Sequence, residues 1–171
     1  MGADYKIAIL GAGLAGVGMG LKLKAKGETS FVILEKAGRI GGVWRENTYP
    51  GCACDIPSHL YSYSFELNPD WPEAWSQQPV ILDYIEGVAA RRGLYDHIRF
   101  NAEVVEATWD EAEGFWRITT ADGGALTAQA FVAAWGQLNR PKLPPIPERD
   151  SFEGVAFHSA QWRHDVSLEG K

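Results

Sequence analysis

The sequence predicts an α/β fold in three layers with an inserted β-meander. Three observations predict it. A short apolar run, Tyr5–Leu10, leads at once into the glycine-rich turn Gly11-Ala12-Gly13-Leu14-Ala15-Gly16. A helix-forming segment and a second apolar run, Phe31–Leu34, follow and end at Glu35. From Phe100 onward the apolar residues recur at every second position, the period of strands.

The elements follow in order. Tyr5–Leu10 reads as a buried strand because it is short, apolar and closed by glycine. Leu14–Lys26 reads as a helix, with Leu14, Val17, Leu21 and Leu23 near helical spacing. Lys22, Lys24 and Lys26 load its last turns, where cations suit the helix dipole, and Gly27 is a fitting stop. Phe31–Leu34 is a second buried strand. Together these form one βαβ unit. Residues 38–72 hold many glycines and prolines, and long irregular stretches of this kind are usually functional. Pro79–Arg92 reads as a helix, with proline in the first turn and Gly93 at the stop. Val104–Trp109, Phe115–Thr120 and Ala125–Trp135 read as three strands joined by the turns Asp110–Gly114 and Asp122–Gly124, a β-meander. Pro141, Pro144, Pro145 and Pro147 make a stiff, extended, linker-like segment. The expected division is a first unit over 1–140 and a linker over 141–171.

The composition excludes several classes. The chain has 171 residues, 46% apolar and 22% charged, ordinary values for a globular domain. A net charge of −6, with no cluster of basic residues, argues against nucleic acid as a partner. No stretch approaches the roughly 18 apolar residues that span a bilayer, and no signal peptide is visible. The two cysteines, Cys52 and Cys54, are poorly spaced to bridge one another. They read as reduced thiols in a cytoplasmic protein. His59, His97 and His164 show no ligand spacing with cysteines or acids, so no metal site is expected.

The glycine turn carries the chemistry. G-x-G-x-x-G alone is a weak signal, but here it sits between a strand and a helix, as a dinucleotide site requires. Gly11 permits the tight turn, Gly13 lets a pyrophosphate approach the backbone, and Gly16 lets the helix pack on the strand. The free N–H groups at the helix start then face the phosphates. Glu35, at the end of the second strand, can accept hydrogen bonds from both hydroxyls of an adenosine ribose and would repel a 2′-phosphate. The site therefore suits FAD or NAD. Two departures from an NAD domain favour FAD. A second glycine pair, Gly41-Gly42, follows the acid closely, and a β-meander is expected where a crossover helix would stand.

The chain resembles the N-terminal, FAD-binding part of a class B flavoprotein monooxygenase of the Baeyer–Villiger type. The likeness runs from about Tyr5 to Lys171 on four segments: Gly11–Gly16 with Glu35, Gly41–Phe65, Phe131–Pro144, and Phe152-x-Gly154-x-x-x-His158-x-x-x-Trp162. The last matches the family fingerprint, with Arg163 where relatives carry Pro or Asp. Trp135 stands where relatives have a small residue.

The resemblance implies a Rossmann-like FAD-binding domain, cut before a second dinucleotide domain that would serve NADPH. It implies that FAD is reduced by NADPH and captures O₂ as a C4a-peroxide, which attacks a ketone carbonyl to give an ester or lactone. By the resemblance, Gly11, Gly13, Leu14, Ala15 and Gly16 hold the pyrophosphate and Glu35 the adenosine ribose, with Lys36 beside it among the cofactor contacts. Gly42, Val43 and Trp44 line the flavin's path. Asp55, with Ile56, sits by the isoalloxazine and nicotinamide and is the catalytic residue, placing an arginine outside these segments. Tyr61 lies against the flavin side, the Val104 backbone meets the adenine, and Gln137 approaches the nicotinamide. His158 is expected to be structural. The implied partners are a small-molecule ketone or soft nucleophile, O₂, and the remainder of the same polypeptide. The chain alone is expected to be inactive. Two alternatives stay open: a stand-alone flavin-binding module without turnover, and a class B enzyme that oxygenates nitrogen or sulfur. A disulphide reductase is disfavoured, because no C-x-x-C or C-x₄-C pair is present.

Overall fold

The computed structural model describes residues 2–170. Along the chain run β1 (Tyr5–Leu10), α1 (Leu14–Ala25), β2 (Phe31–Leu34), α2 (Val43–Glu46), α3 (Gln78–Arg91), β3 (Ile98–Arg99), β4 (Val104–Asp110), β5 (Phe115–Thr120) and β6 (Ala125–Ala133). Short 3₁₀ turns lie at Ser58–Leu60, Tyr95–His97, Arg149–Ser151 and Ser159–Gln161.

The strands form a six-stranded sheet in the order β3-β2-β1-β6-β5-β4. β1 lies between β2 and β6 and is parallel to both, with Ile9 opposite Ile33 on one side and Val132 on the other. β6 joins the two halves of the sheet. Its first residues, Ala125–Ala128, pair antiparallel with β5, and from Ala128 to Ala133 it runs parallel to β1.

Side chains alternate across a strand, and that alternation builds the layers. Ile9, Phe31 and Ile33 cluster with Val17 and Leu21 of α1 and with Ile81, Ile85 and Val88 of α3. The intervening residues Ala8, Val32 and Leu34 are buried instead with Ile118, Leu126 and Ala128 of the meander. Helices, parallel strands and meander are thus the three layers that the sequence led one to expect. Each large aliphatic or aromatic side chain buried here contributes roughly 1.5–3 kcal/mol.

α1 sits close to the sheet because its packed face includes glycine. Gly16, Val17, Gly20 and Leu21 are its buried residues. A methyl group at Gly20 would come within 2.9 Å of both Ile33 and Leu94. Gly27 follows the helix end, as expected of a stop, in the left-handed region at φ +76°. α3 is the amphipathic partner. It starts around Pro79 and buries Ile81, Leu82, Tyr84, Ile85, Val88 and Ala89.

The structure corrects the sequence reading in three places. α1 and α3 each end one residue earlier than expected, and the last meander strand stops at Ala133 rather than Trp135. The stretch 38–72 is not wholly irregular, since it contains α2 and a 3₁₀ turn. Most consequentially, the meander does not replace a crossover helix. α3 leads into β3, which pairs parallel with β2, Ile33 opposite Ile98. The βαβ pattern therefore continues. β3 is only two residues long, too short for its period to register in the sequence. One of the two arguments for FAD over NAD is lost with it.

Candidate cofactor site

The site lies at the carboxyl ends of the parallel strands. β1 has β2 on one side and β6 on the other, so the connections leave in opposite directions there, and ligands of α/β sheets bind at such switch points. Gly11 follows β1 directly. Its N–H donates to the Leu34 carbonyl (2.8 Å), and Ala134 N–H donates to the Leu10 carbonyl (3.0 Å).

The three motif glycines have different reasons to be glycine. Gly11 has φ +99°, and a methyl group there would lie 2.8 Å from the Ala134 carbonyl oxygen. A methyl group at Gly16 would overlap the Gly11 carbonyl oxygen. Gly13 is unlike both. Its backbone is extended (φ −77°, ψ −172°), and a methyl group would meet only Gly42, with Cα at 3.6 Å and N at 4.0 Å, both ordinary contacts. The protein's own packing does not require glycine at 13, so the open space faces outward. Gly13 also caps α1 without a side-chain hydrogen bond, and the first turn carries no acid. The first N–H groups of a helix have no partner within it, and here that end favours an anion.

The second glycine pair closes on the first. Gly41 N–H donates to the Ala12 carbonyl (2.9 Å), and Gly42, at φ +56°, would bring a methyl group to 3.0 Å from Gly13 Cα. α2 begins there, placing Val43 and Trp44 beside the turn. Glu35 is 4% exposed. Its Oε2 accepts from Ala12 N–H (2.8 Å), and its Oε1 from Ala37 N–H (2.9 Å) and Arg45 (3.2 Å). Both oxygens thus already have protein donors. Lys36 is exposed and donates to Asn139 Oδ1 (2.9 Å), which ties the segment after β6 to the end of β2.

Ala102 N–H donates to the Glu35 carbonyl (2.9 Å) and Asn101 N–H to the Ala37 carbonyl (3.1 Å). This carries the chain past Glu35 just before Val104, which opens β4 beside a bulge. Gln137 and Trp135 stand exposed beyond β6.

A second group surrounds Asp55. Cys54 N–H donates to Ser76 O (3.0 Å), Gln78 N–H to Cys52 O (2.8 Å) and Ser58 N–H to Ala74 O (2.8 Å). The Ser58 hydroxyl, buried, pairs with the Ser76 hydroxyl at 2.8 Å and accepts from Ser76 N–H. These bonds pin both ends of the segment whose tip is Asp55 and Ile56, both exposed. Tyr61 follows. Its hydroxyl accepts from the Trp44 indole N–H (3.0 Å), and the two rings meet edge to face at 5.6 Å. Burial raises the Tyr61 phenol above its ordinary value, the Trp44 bond opposes this, and the nearby Cys54 and Asp55 add to it. The Gln78 amide donates to the Trp44 carbonyl.

The structure therefore brings Gly11–Gly16, Glu35, Gly42 and Val43 together, gathers Trp44, Asp55 and Tyr61 nearby, and leaves Gln137 without a side-chain partner among the described residues. Sequence reasoning missed Arg45, Ser58, Ser76 and Gln78. Their partners are distant in sequence or carry no periodic signal. No cluster of metal-ligating side chains occurs among the described residues.

The profile of the pyridine nucleotide-disulphide oxidoreductase family matches residues 8–169. The chain belongs to that family. A Baeyer-Villiger monooxygenase of Streptomyces coelicolor is 49% identical over 166 residues, covering 97% of this chain and 32% of its own. A phenazine N-monooxygenase of Lysobacter antibioticus is 36% identical over 171 residues, covering 98% of this chain and 32% of its own. The solved structure of OTEMO in complex with FAD and NADP superposes with a TM-score of 0.86 at 28% identity, covering 97% of this chain and 32% of that one. The chain spans about a third of the length of the curated relatives it matches. Among the described residues, no helix is long and apolar enough to cross a membrane.

Proposed function

We propose that this chain is the FAD-binding part of an NADPH-dependent flavin monooxygenase that inserts oxygen next to a ketone carbonyl. The observation that carries the reading is Gly13, an open backbone position at an uncapped helix start that packing alone leaves free. In this reading the N–H groups of Leu14, Ala15 and Gly16 hold the pyrophosphate and Gly11 shapes the turn. Glu35 takes the adenosine ribose, Lys36 flanks it, and the Val104 backbone meets the adenine. Gly42, Val43, Trp44, Ile56 and Tyr61 line the flavin. Asp55, exposed at the tip of a pinned segment, is the catalytic residue by its place at the ring system, and Gln137 approaches the nicotinamide. Bound FAD would supply the oxygen activation. The residues here bind it, orient it and keep water from its phosphates.

Residues 1–140 belong to the FAD-binding unit and 141–171 to a linker toward a nicotinamide-binding unit, a division supported by the resemblance of Phe152-x-Gly154-x-x-x-His158-x-x-x-Trp162 to the family fingerprint. The two buried free thiols, Cys52 and Cys54, support a reducing, cytoplasmic setting. The substrate is a small ketone. The N-monooxygenase relative supports a second reading, a soft nucleophile as substrate, because these residues serve the cofactor in either case. Titration of the purified chain with FAD, followed by flavin fluorescence, tests the reading. One FAD bound per chain is expected, with no oxygenation of ketones by the chain alone. Absence of FAD binding overturns it.

A further inference from the structure

Glu35 has more protein partners than a ribose-binding carboxylate needs. Its side chain is 5% exposed, and the Arg45 guanidinium beside it, 14% exposed, approaches Oε1 at 3.2 Å. With Ala12 and Ala37 N–H also donating, three of a carboxylate's roughly four lone-pair sites are taken. Two neighbouring ribose hydroxyls need two sites. Ala12 and Ala37 donate from backbone fixed by the glycine turn and the strand end. Arg45 is the partner on a flexible side chain, and it has other acceptors at hand. The same guanidinium donates to the Arg39 carbonyl and to Glu46, whose side chain is 42% exposed.

We propose that Arg45 is a positioning residue, a counter-ion that occupies Glu35 Oε1 until an adenosine ribose displaces it, leaving it on the Glu46 carboxylate it already holds. The inference rests on the reading of Glu35 as the ribose acid. The pairing compensates a buried charge while the site is empty, because a buried carboxylate with too few partners is costly. On binding, the ribose 2′-hydroxyl donates to Oε1 in place of Arg45, which gives up Glu35 and keeps the ion pair it already makes with Glu46. Arg45 also stands on α2, in the turn that Gly42 opens, and its N–H donates to the Gly42 carbonyl (3.0 Å). Ribose capture is thereby coupled to the loop that lines the rest of the cofactor.

The displacement has an uncommon signature. Without Arg45, an arriving hydroxyl relieves an unpaired carboxylate instead of breaking an ion pair. Calorimetric binding of ADP and of 2′-deoxyADP to the full chain reads this out. Wild type is expected to favour ADP. Arg45→Met is expected to raise that preference by about tenfold, the scale of one hydrogen bond to a charged group, while lowering the melting temperature. A residue with only a structural role would weaken both ligands alike. Glu46→Gln, on an exposed side chain, is expected to weaken ADP about threefold, a fraction of one such bond, with 2′-deoxyADP unchanged. It carries the test if Arg45→Met does not fold. An ADP preference that is unchanged or reduced in Arg45→Met, or an unaltered ADP affinity in Glu46→Gln, overturns the proposal. Wild type that binds neither ADP nor FAD overturns the ribose assignment itself, a different and recognisable result.

Discussion

The glycine turn at 11–16 and the fingerprint at 152–162 are the two most patterned stretches of the sequence, yet the structure treats them in opposite ways. The turn is built into the core. Ala12, Gly16 and Val17 are buried, and Gly11 and Gly16 are fixed by backbone contacts to Ala134 and to each other. The fingerprint lies outside. Every residue from Pro141 to Ala156 is exposed, and its typed positions are satisfied locally. The Phe152 ring lies where a methyl group at Gly154 would be. His158 Nδ1 accepts from Ala160 N–H (3.0 Å) and so caps the following turn. Trp162 meets Phe157 edge to face at 5.1 Å. A fixed pattern of residue types is therefore not by itself a sign of packing. One of these patterns is demanded by the fold, whereas the other is held by contacts between near neighbours in sequence.

The sharpest way to break this contrast is a matched pair of glycine substitutions. Gly16→Ala is expected to cost more than about 3 kcal/mol or to prevent folding, because the added methyl meets backbone that cannot move away. Gly154→Ala is expected to stay within about 0.5 kcal/mol, since its methyl meets only an exposed ring that can rotate. Thermal melts by circular dichroism compare them, and equal losses would erase the distinction.

Gly13→Ala separates packing from binding inside the turn itself. Its melting temperature is expected to match wild type, while FAD affinity falls at least tenfold, about 1.4 kcal/mol. A large loss of stability would put Gly13 in the same class as Gly16.

A smaller loss than those expected of Gly16→Ala and Gly13→Ala concerns Tyr63, whose hydroxyl donates to the Leu14 carbonyl (2.6 Å) at the base of the turn. Burial pushes its phenol well above the ordinary value of 10.0. The folded state thus prefers the neutral hydroxyl more than the unfolded chain does. That contribution is complete below about pH 10 and is lost as pH rises beyond it. Tyr63→Phe should cost about 1 kcal/mol at neutral pH and should flatten the decline of stability on the alkaline side, measured by urea unfolding at several pH values.

How much of this was legible in the sequence depends on range. β1, β2 and β5 could be bounded to the residue, because each is a short apolar or alternating run closed by glycine, an acid or a turn. α1 and α3 were placed to within one residue by their caps. β3 escaped because two residues carry no period. The six-stranded continuity of the sheet escaped too, since it depends on β6 pairing with β1, and no local signal reports a partner that far away. In the site, Gly11, Gly16 and Glu35 announced themselves by type and spacing. Arg45 and the Ser58–Ser76 pair did not, because a serine or an arginine looks the same whether it is solvated or locked against a distant segment.

The joint in the sheet also sets a timetable. Thr127, on β6, bonds to Asp4, 123 positions earlier. At roughly 5–20 residues per second of synthesis, the first strand leaves the ribosome on the order of ten seconds before its second neighbour exists. Throughout that interval β1 presents a naked, aliphatic edge to its surroundings. The newborn chain is then most open to capture by chaperones or to sticking to its siblings, and the hazard passes once the ninth residue of β6 has emerged.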